Sequence, residues 1–513
     1  MRQHEMFELT FHGPELKEQW AAVDLPCVFT HESGEKIQVM GFYAGNSEYK
    51  IRFLPDKSGW WEYFVTGVIN AGGNVQCEPA VSSGPVRAKG TGFYRADGSC
   101  FHPFGTTVYA LMHQDTALID RTMESLKKAP FNKVRLCVFP KHYKYNANEP
   151  DFYAFERNPD GSWDVSRPSF AFWEHFEQRL NQLYRMRIEA DIILFHPYDR
   201  WGFSQLTQEE NLLYLDYLIR RLAAFPNVWW SLANEYDVCL ARKSQQNWEE
   251  IEEFVASHDP YGHPLSNHNI ANFWDAARPN ITHASLQTKR IAEIPRFLKR
   301  YGKPVVIDEC CYEGDIMEPW GAISGREMTY RFWRTVCSGG YCTHGETFYD
   351  EQDVLWWAKG GVLKGESPAR IAFLRGIVEA LPHHLEPVSG QFEAMISSTA
   401  AELETVIPNS DENTKGLLTS LLRMDPEERL LFSIMERTYS VRCGNDVFLM
   451  FYDQRTSAKD ILPLPEDGRY TIEVIDVWEM TRKTLMTGVS GPTEVSLPGK
   501  EGIAVLAAKE EKQ

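Results

Sequence analysis

The sequence holds no run of apolar residues near the 20 or so needed to cross a bilayer,, which excludes a helical membrane protein. Nor does it contain a Cys-x-x-Cys pair. Its ten cysteines are scattered, with Cys310 and Cys311 adjacent, as expected of reduced core thiols rather than a disulfide framework,. No Gly-rich phosphate loop opens a helical stretch, no 20–50-residue repeat is visible, and nothing calls for a cofactor or a resident metal,. Positive charge is also scarce: 53 Lys and Arg against 71 Asp and Glu leave a formal charge of −18, the wrong sign for a nucleic-acid partner,. No apolar segment follows Met1-Arg-Gln-His-Glu, so a secretory leader is not expected and the predicted setting is the cytoplasm,. Oligomeric state is left open, a homo-oligomer included.

Aromatic residues, by contrast, are plentiful at 13%, with 15 Trp, which suits a protein that stacks rings on the C–H faces of sugars,. At 513 residues the chain has room for roughly three domains,. Residues 1–90 carry short alternating runs broken by Gly, Pro and Asn, as in an immunoglobulin-like β-sandwich,. From 91 to 385 strands alternate with helices. Eight strands are predicted, ending near Thr107, Phe139, His196, Asn234, Asn267, Leu286, Glu309 and His344, and that count fits a (β/α)8 TIM barrel,. Residues 386–513 read as a polar connector over 391–424 and a second β-sandwich, whose strands include Leu430–Met435 and Val447–Tyr452,.

The stretch Asn227–Asp237 organises the barrel. It is a short buried strand with Asn234 and Glu235 at its C-terminal end, preceded by a helix from Gln208 that a Thr207/Glu210 capping box begins,. Barrel enzymes place their functional groups at such strand ends. Here polar residues crowd those ends: Arg135; His196, Asp199 and Arg200; Asn234 and Glu235; His268; His283 and Gln287; Asp308 and Glu309; His344 and Glu346. Two carboxylates facing each other across a barrel mouth suit retaining glycoside hydrolysis, which needs an acid/base and a nucleophile about 5–5.5 Å apart. Strand parity separates Glu309 from Asp308 and favours Glu309 as nucleophile. Arg135 is expected to keep Glu309 ionised, and Asn234 to hold the sugar 2-hydroxyl. Trp201, Trp320, Trp356 and Trp357 are candidate sugar-stacking rings; His196 and His344 are candidate hydroxyl ligands.

The chain resembles clan A glycoside hydrolases, the family 5-like barrels. The similarity extends to bacterial proteins assigned as glycosidases that combine an N-terminal immunoglobulin-like domain, an apiosidase-like barrel and a C-terminal sandwich. It rests on Phe101-His-Pro-Phe-Gly-Thr-Thr, Phe195-His-Pro-Tyr-Asp-Arg-Trp-Gly-Phe, Trp229-Trp-Ser-Leu-Ala-Asn-Glu-Tyr-Asp, Ile307-Asp-Glu-Cys-Cys-Tyr-Glu-Gly and Thr343-His-Gly-Glu-Thr, and it spans nearly the whole chain. The resemblance implies Glu235 as acid/base and Glu309 as nucleophile. His283 stands where many such barrels have a Tyr touching the nucleophile. The expected substrate is a short, neutral, plant-type oligosaccharide cut from one end, the insertion Lys141–Ser169 and the loop with Trp356 and Trp357 closing the groove. Two rival readings are a metal-dependent barrel hydrolase using His196, His268 and His283, and a non-catalytic carbohydrate-binding protein.

Overall fold

A computed structural model of the protein describes residues 1–388, 400–435 and 438–510. The chain divides into two compact units. The first comprises Met1–Gln287, Tyr301–Gly325 and Cys342–Pro368; the second comprises Thr288–Arg300, Arg326–Tyr341 and Ala369–Gln513.

The first unit begins with two antiparallel sheets. Phe7–His12, Glu48–Phe53 and Phe42–Gly45 form one; Lys36–Met40, Pro26–His31, Gly59–Val65 and Ala71–Cys77 form the other. Alternating side chains such as Cys27, Phe29, Ile51, Phe53, Trp61 and Val65 point inward and make one buried core,. This module is fixed to helix Phe170–Arg185 and helix Gln208–Leu222 through Arg52, which pairs with Glu177, itself paired with Arg221. Burial alone would raise the Glu177 carboxyl, but Arg221 and Arg52 outweigh it and hold the group at about 2,.

Eight strands follow in one sheet: β1 (Phe104–Thr107), β2 (Lys133–Cys137), β3 (Glu189–Phe195), β4 (Val228–Ala233), β5 (Leu265–Ser266), β6 (Ala284–Gln287), β7 (Val305–Glu309) and β8 (Tyr341–His344). Their order, β5-β4-β3-β2-β1-β8-β7-β6, is that of a barrel, and a bridge between His268 and Ser285 joins the two ends. The fold is therefore a TIM barrel flanked by β-sandwich domains. Its strands are largely buried because both faces are covered; all six residues of β4 are buried,. The predicted Thr207/Glu210 capping box starts helix Gln208–Leu222.

A charged cluster fills the barrel interior. Lys133 Nζ lies 2.8 Å from both Asp191 and Asp308, and Arg135 Nη1 lies 2.8 Å from Asp308 and 3.6 Å from Asp191. Thr343 and Ser285 donate their hydroxyls to Asp308. Burial opposes ionisation of Asp308, yet the two cations hold its carboxyl far below the usual range,. Close packing extends to the backbone. A Cβ at Gly105 on β1 would fall 2.5 Å from the Thr343 hydroxyl on β8.

The second unit contains a six-stranded antiparallel sheet in which Ile503–Lys509 lies between Val447–Phe451 and Tyr470–Asp476. Its core includes Tyr470, Ile472, Val495 and Val505. The expected strand Leu430–Met435 is instead the end of helix Pro426–Met435. Pro at the first helical position and two acids in the first turn start a helix, and these signals override the apolar run that suggested a strand. Helices Ala400–Val406 and Glu412–Arg423 occupy most of the expected connector; its residues 391–399 lie outside the described ones.

Candidate active site

Glu235 follows β4 by two residues and takes a left-handed conformation, φ 57° and ψ 57°. For a residue with a Cβ this costs on the order of 1–3 kcal/mol, the kind of strain that accompanies function. The turn is held by the Glu235 N–H, which donates to His268 Nδ1 at 3.3 Å. Glu309 ends β7 at a register shift: Leu286 pairs with Ile307 and Gln287 with Glu309, skipping Asp308. A bulge of this kind re-aims side chains. Asp308 enters the ion cluster, and Glu309 turns toward Glu235.

One amide spans the pair. With its nitrogen turned to the surrounding acceptors, Gln287 donates to Glu235 Oε1 at 3.1 Å, to Glu309 Oε2 at 3.2 Å and to the Asn269 carbonyl at 3.2 Å. Laid end to end, the two carboxylate contacts limit those oxygens to a separation of about 6 Å,. Each carboxylate also accepts a phenol, Tyr198 donating to Glu235 and Tyr109 to Glu309. Burial is the largest influence on Glu235, followed by the nearby charge of Glu309. Together they raise its carboxyl to about 7, against the opposing pull of Lys141 and the Tyr198 hydrogen bond,. His268 stays neutral because burial, then Arg135, drive its pKa well below the ordinary value. As Nδ1 accepts from Glu235, the ring proton belongs on Nε2, which lies 3.9 Å from Glu309 Oε1,.

A wall of rings borders the pair. Trp357 lies 5.3 Å from Trp320, 5.6 Å from Tyr143 and 5.9 Å from Tyr109, centroid to centroid. Tyr145 and Lys144, in the insertion after β2, bind Glu318 in the loop after β7, with Tyr145 donating at 2.8 Å. The insertion also folds a hairpin, Phe155–Arg157 with Trp163–Pro168.

Several expected site residues stand elsewhere. Arg135 pairs with Asp308 and Asp191, not with Glu309. His283 precedes β6 and packs on Trp229 and Phe93 at the opposite end of the strand from Gln287, so Gln287 has the place beside Glu309 that His283 was expected to fill. The three histidines of the metal reading therefore do not converge. Trp356 is buried, its indole N–H donating to Thr106, which also contacts His344 Nδ1. Glu346 accepts the N–H groups of Lys364 and Gly365 and anchors that loop. Asp199 accepts those of Trp201, Gly202 and Ser204, and Arg200 pairs with Glu149. His196 is buried, bonded through Nε2 to the Phe139 carbonyl. Asn234 is buried beside the acid, and neither amide atom has a partner among the described residues. Sequence reasoning missed Tyr109, Tyr198 and Lys141 because it searched strand ends for acids and imidazoles. Their position just past β1, β3 and β2 was the signal available.

A family model for the apiosidase-like catalytic domain matches residues 88–370. The chain belongs to this family. Two further models, both for domains of unknown function, match residues 1–67 and 437–507 of the apiosidase-like chain. Its structure is similar to that of a Bacteroides vulgatus protein assigned as a glycoside hydrolase: 32% identity, TM-score 0.85, covering 99% of each chain. A family 5 glycoside hydrolase of the same organism shares the fold at 16% identity and TM-score 0.58, over 83% of this chain and 94% of the other. No curated protein matches in sequence. The apiosidase-like chain is thus a glycoside hydrolase with a family 5-like barrel.

Proposed function

We propose that this glycoside hydrolase retains anomeric configuration, with Glu309 as nucleophile and Glu235 as acid/base, and removes terminal units from a plant-type oligosaccharide. The Gln287 bridge carries the reading. Carboxylate oxygens within about 6 Å suit direct attack, whereas inversion needs the carboxyls about 6.5–9.5 Å apart to admit a water,. In this mechanism Glu309 attacks the anomeric carbon while Glu235 passes its proton to the leaving oxygen, and Glu235 then deprotonates the water that frees the sugar. A carboxyl raised to about 7 is poised for both steps,. The unpartnered amide of Asn234 is available to a sugar hydroxyl.

Exo action is supported by the tie between Tyr145, Lys144 and Glu318, which links two loops on one side of the pair. The plant-type substrate is supported by the apiosidase-like family description. Hydrolysis of aryl glycosides and plant oligosaccharides, followed by NMR, tests all three points. The expected first product is a monosaccharide of unchanged anomeric configuration. Inverted product overturns retention, and early internal fragments overturn exo action.

A further inference from the structure

Lys141 is the charged group of the site that neither the sequence reading nor the mechanism above uses. It lies four residues past the end of β2, is 5% exposed, and its ammonium sits against ring faces: 3.4 Å from the Tyr109 centroid, 4.4 Å from Tyr198 and 5.6 Å from Trp357. Tyr109 and Tyr198 are the phenols bonded to Glu309 and Glu235, so the cation stands beside both carboxylates. It is not, however, paired with either. Among the described residues no carboxylate or carbonyl accepts from Nζ, whereas Lys133 in the barrel interior has two carboxylates at 2.8 Å. Ring faces attract a cation but leave its N–H donors unmatched, so these donors are open to oxygens that a ligand supplies,.

We infer that Lys141 is a specificity-determining residue that donates hydrogen bonds to hydroxyl oxygens of the uncharged sugar ring seated between Glu235 and Glu309. The inference rests on the glycosidase reading above and extends it to the chemistry of the bound unit. Charge decides between a neutral sugar and a uronate. Glu235 and Glu309 together already balance or exceed the single positive charge of Lys141, so a sugar carboxylate would add an uncompensated buried anion. Hydroxyl acceptors satisfy the ammonium without that penalty. The Tyr109, Tyr198 and Trp357 rings fix Nζ in place, so little side-chain entropy is lost when the sugar arrives.

The same placement gives a second readout. The titratable and charged groups that act on the Lys141 ammonium include Cys137, Glu235, Glu309 and Arg135, and the ammonium acts in turn on His196 and His268. Lys141 lowers the Glu235 pKa, against burial and Glu309, which raise it. Removing the cation therefore moves the basic limb of the pH–rate profile upward. A merely structural lysine would not move it.

The experiment compares the wild-type enzyme with Lys141→Met and Lys141→Arg on a panel of neutral 4-nitrophenyl glycosides, their monodeoxy analogues and 4-nitrophenyl uronides. On the neutral glycoside that the wild type cleaves, Lys141→Met is expected to lower kcat/KM by about ten- to a hundredfold, the worth of a charged hydrogen bond. For one monodeoxy analogue that loss should shrink toward unity, because its missing hydroxyl is the acceptor. Lys141→Arg should recover the pH limb but not the discrimination between parent and deoxy sugar. Equal kcat/KM for wild type and Lys141→Met, at unchanged melting temperature, overturns the inference while leaving the glycosidase reading intact. Preference for a uronide that vanishes in Lys141→Met overturns the neutral-sugar assignment. No cleavage of any glycoside by the wild type overturns the parent reading as well. If Lys141→Met melts lower than the wild type, the parent-to-deoxy ratio in Lys141→Arg decides the question.

Discussion

Asp308 and Glu309 are consecutive residues of one strand, yet they belong to two regions with opposite electrostatics. Asp308 lies in the barrel interior, ion-paired to Lys133 and Arg135 and hydrogen-bonded to Ser285 and Thr343, and its charge is permanent. Glu309 lies at the mouth, where its partners are a phenol, an amide and the neutral His268, and where a second carboxylate stands close by. In the interior every acid is matched by a base, which fixes protonation and shape. At the mouth two acids face each other with one cation held off by rings, which leaves a proton free to move. A structural carboxylate is made by pairing it with cations, and a reactive one by giving it neutral partners and withholding the counter-ion.

Substitutions can break this contrast. The largest effect is expected from Glu309→Gln. Loss of the proposed nucleophile should lower kcat by at least about a thousandfold with the melting temperature nearly unchanged; kinetics alongside thermal unfolding checks both. Asp308→Asn should do the reverse in kind. It leaves Asp191 alone to balance the two buried cations Lys133 and Arg135 and is expected to cost about 3–5 kcal/mol of stability, read from denaturant unfolding,. A stability loss from Glu309→Gln equal to that from Asp308→Asn would erase the distinction between the two regions.

Glu235→Gln comes next, with kcat lowered by about a hundred- to ten-thousandfold for poor leaving groups and much less for dinitrophenyl ones. It should also stabilise the fold relative to the wild type, by a margin that grows as pH rises from about 4.5 to about 7 and then levels off,. The folded state holds the Glu235 proton up to about pH 7, whereas the unfolded chain releases it near 4.5. Stability that is full below the lower value is therefore lost as pH rises through the higher one, and glutamine cannot lose it. Melting temperatures at pH 5 and pH 8 test the sign.

Finer effects sharpen the picture. In the proposed mechanism Glu235 is protonated for the first step, so kcat/KM should fall as pH rises through about 7,. Tyr198→Phe removes a hydrogen bond that favours the ionised form, so that limb should move up by a fraction of a pH unit,. A limb that stays in place would remove Tyr198 from the control of Glu235.

By itself, the sequence determined the local part of this result. Period-two apolar runs and helix signals such as Thr207 and Glu210 specify the elements, and eight strand–helix alternations specify a barrel. The crowding of polar residues at strand ends was readable for the same reason, since strand ends can be located from local pattern. Only the tertiary structure decided which neighbour each side chain meets. Arg135 could be placed on β2 from sequence, but its partner Asp308 lies on a strand that reaches it only when the ring closes. His283 and Gln287 are four residues apart, and an uncertain strand boundary exchanged the two ends of β6. The bulge at Glu309 and the ring cage of Lys141 depend on contacts between distant segments. Local propensity encodes the strand and its end; the partner waiting there is set by closure of the barrel.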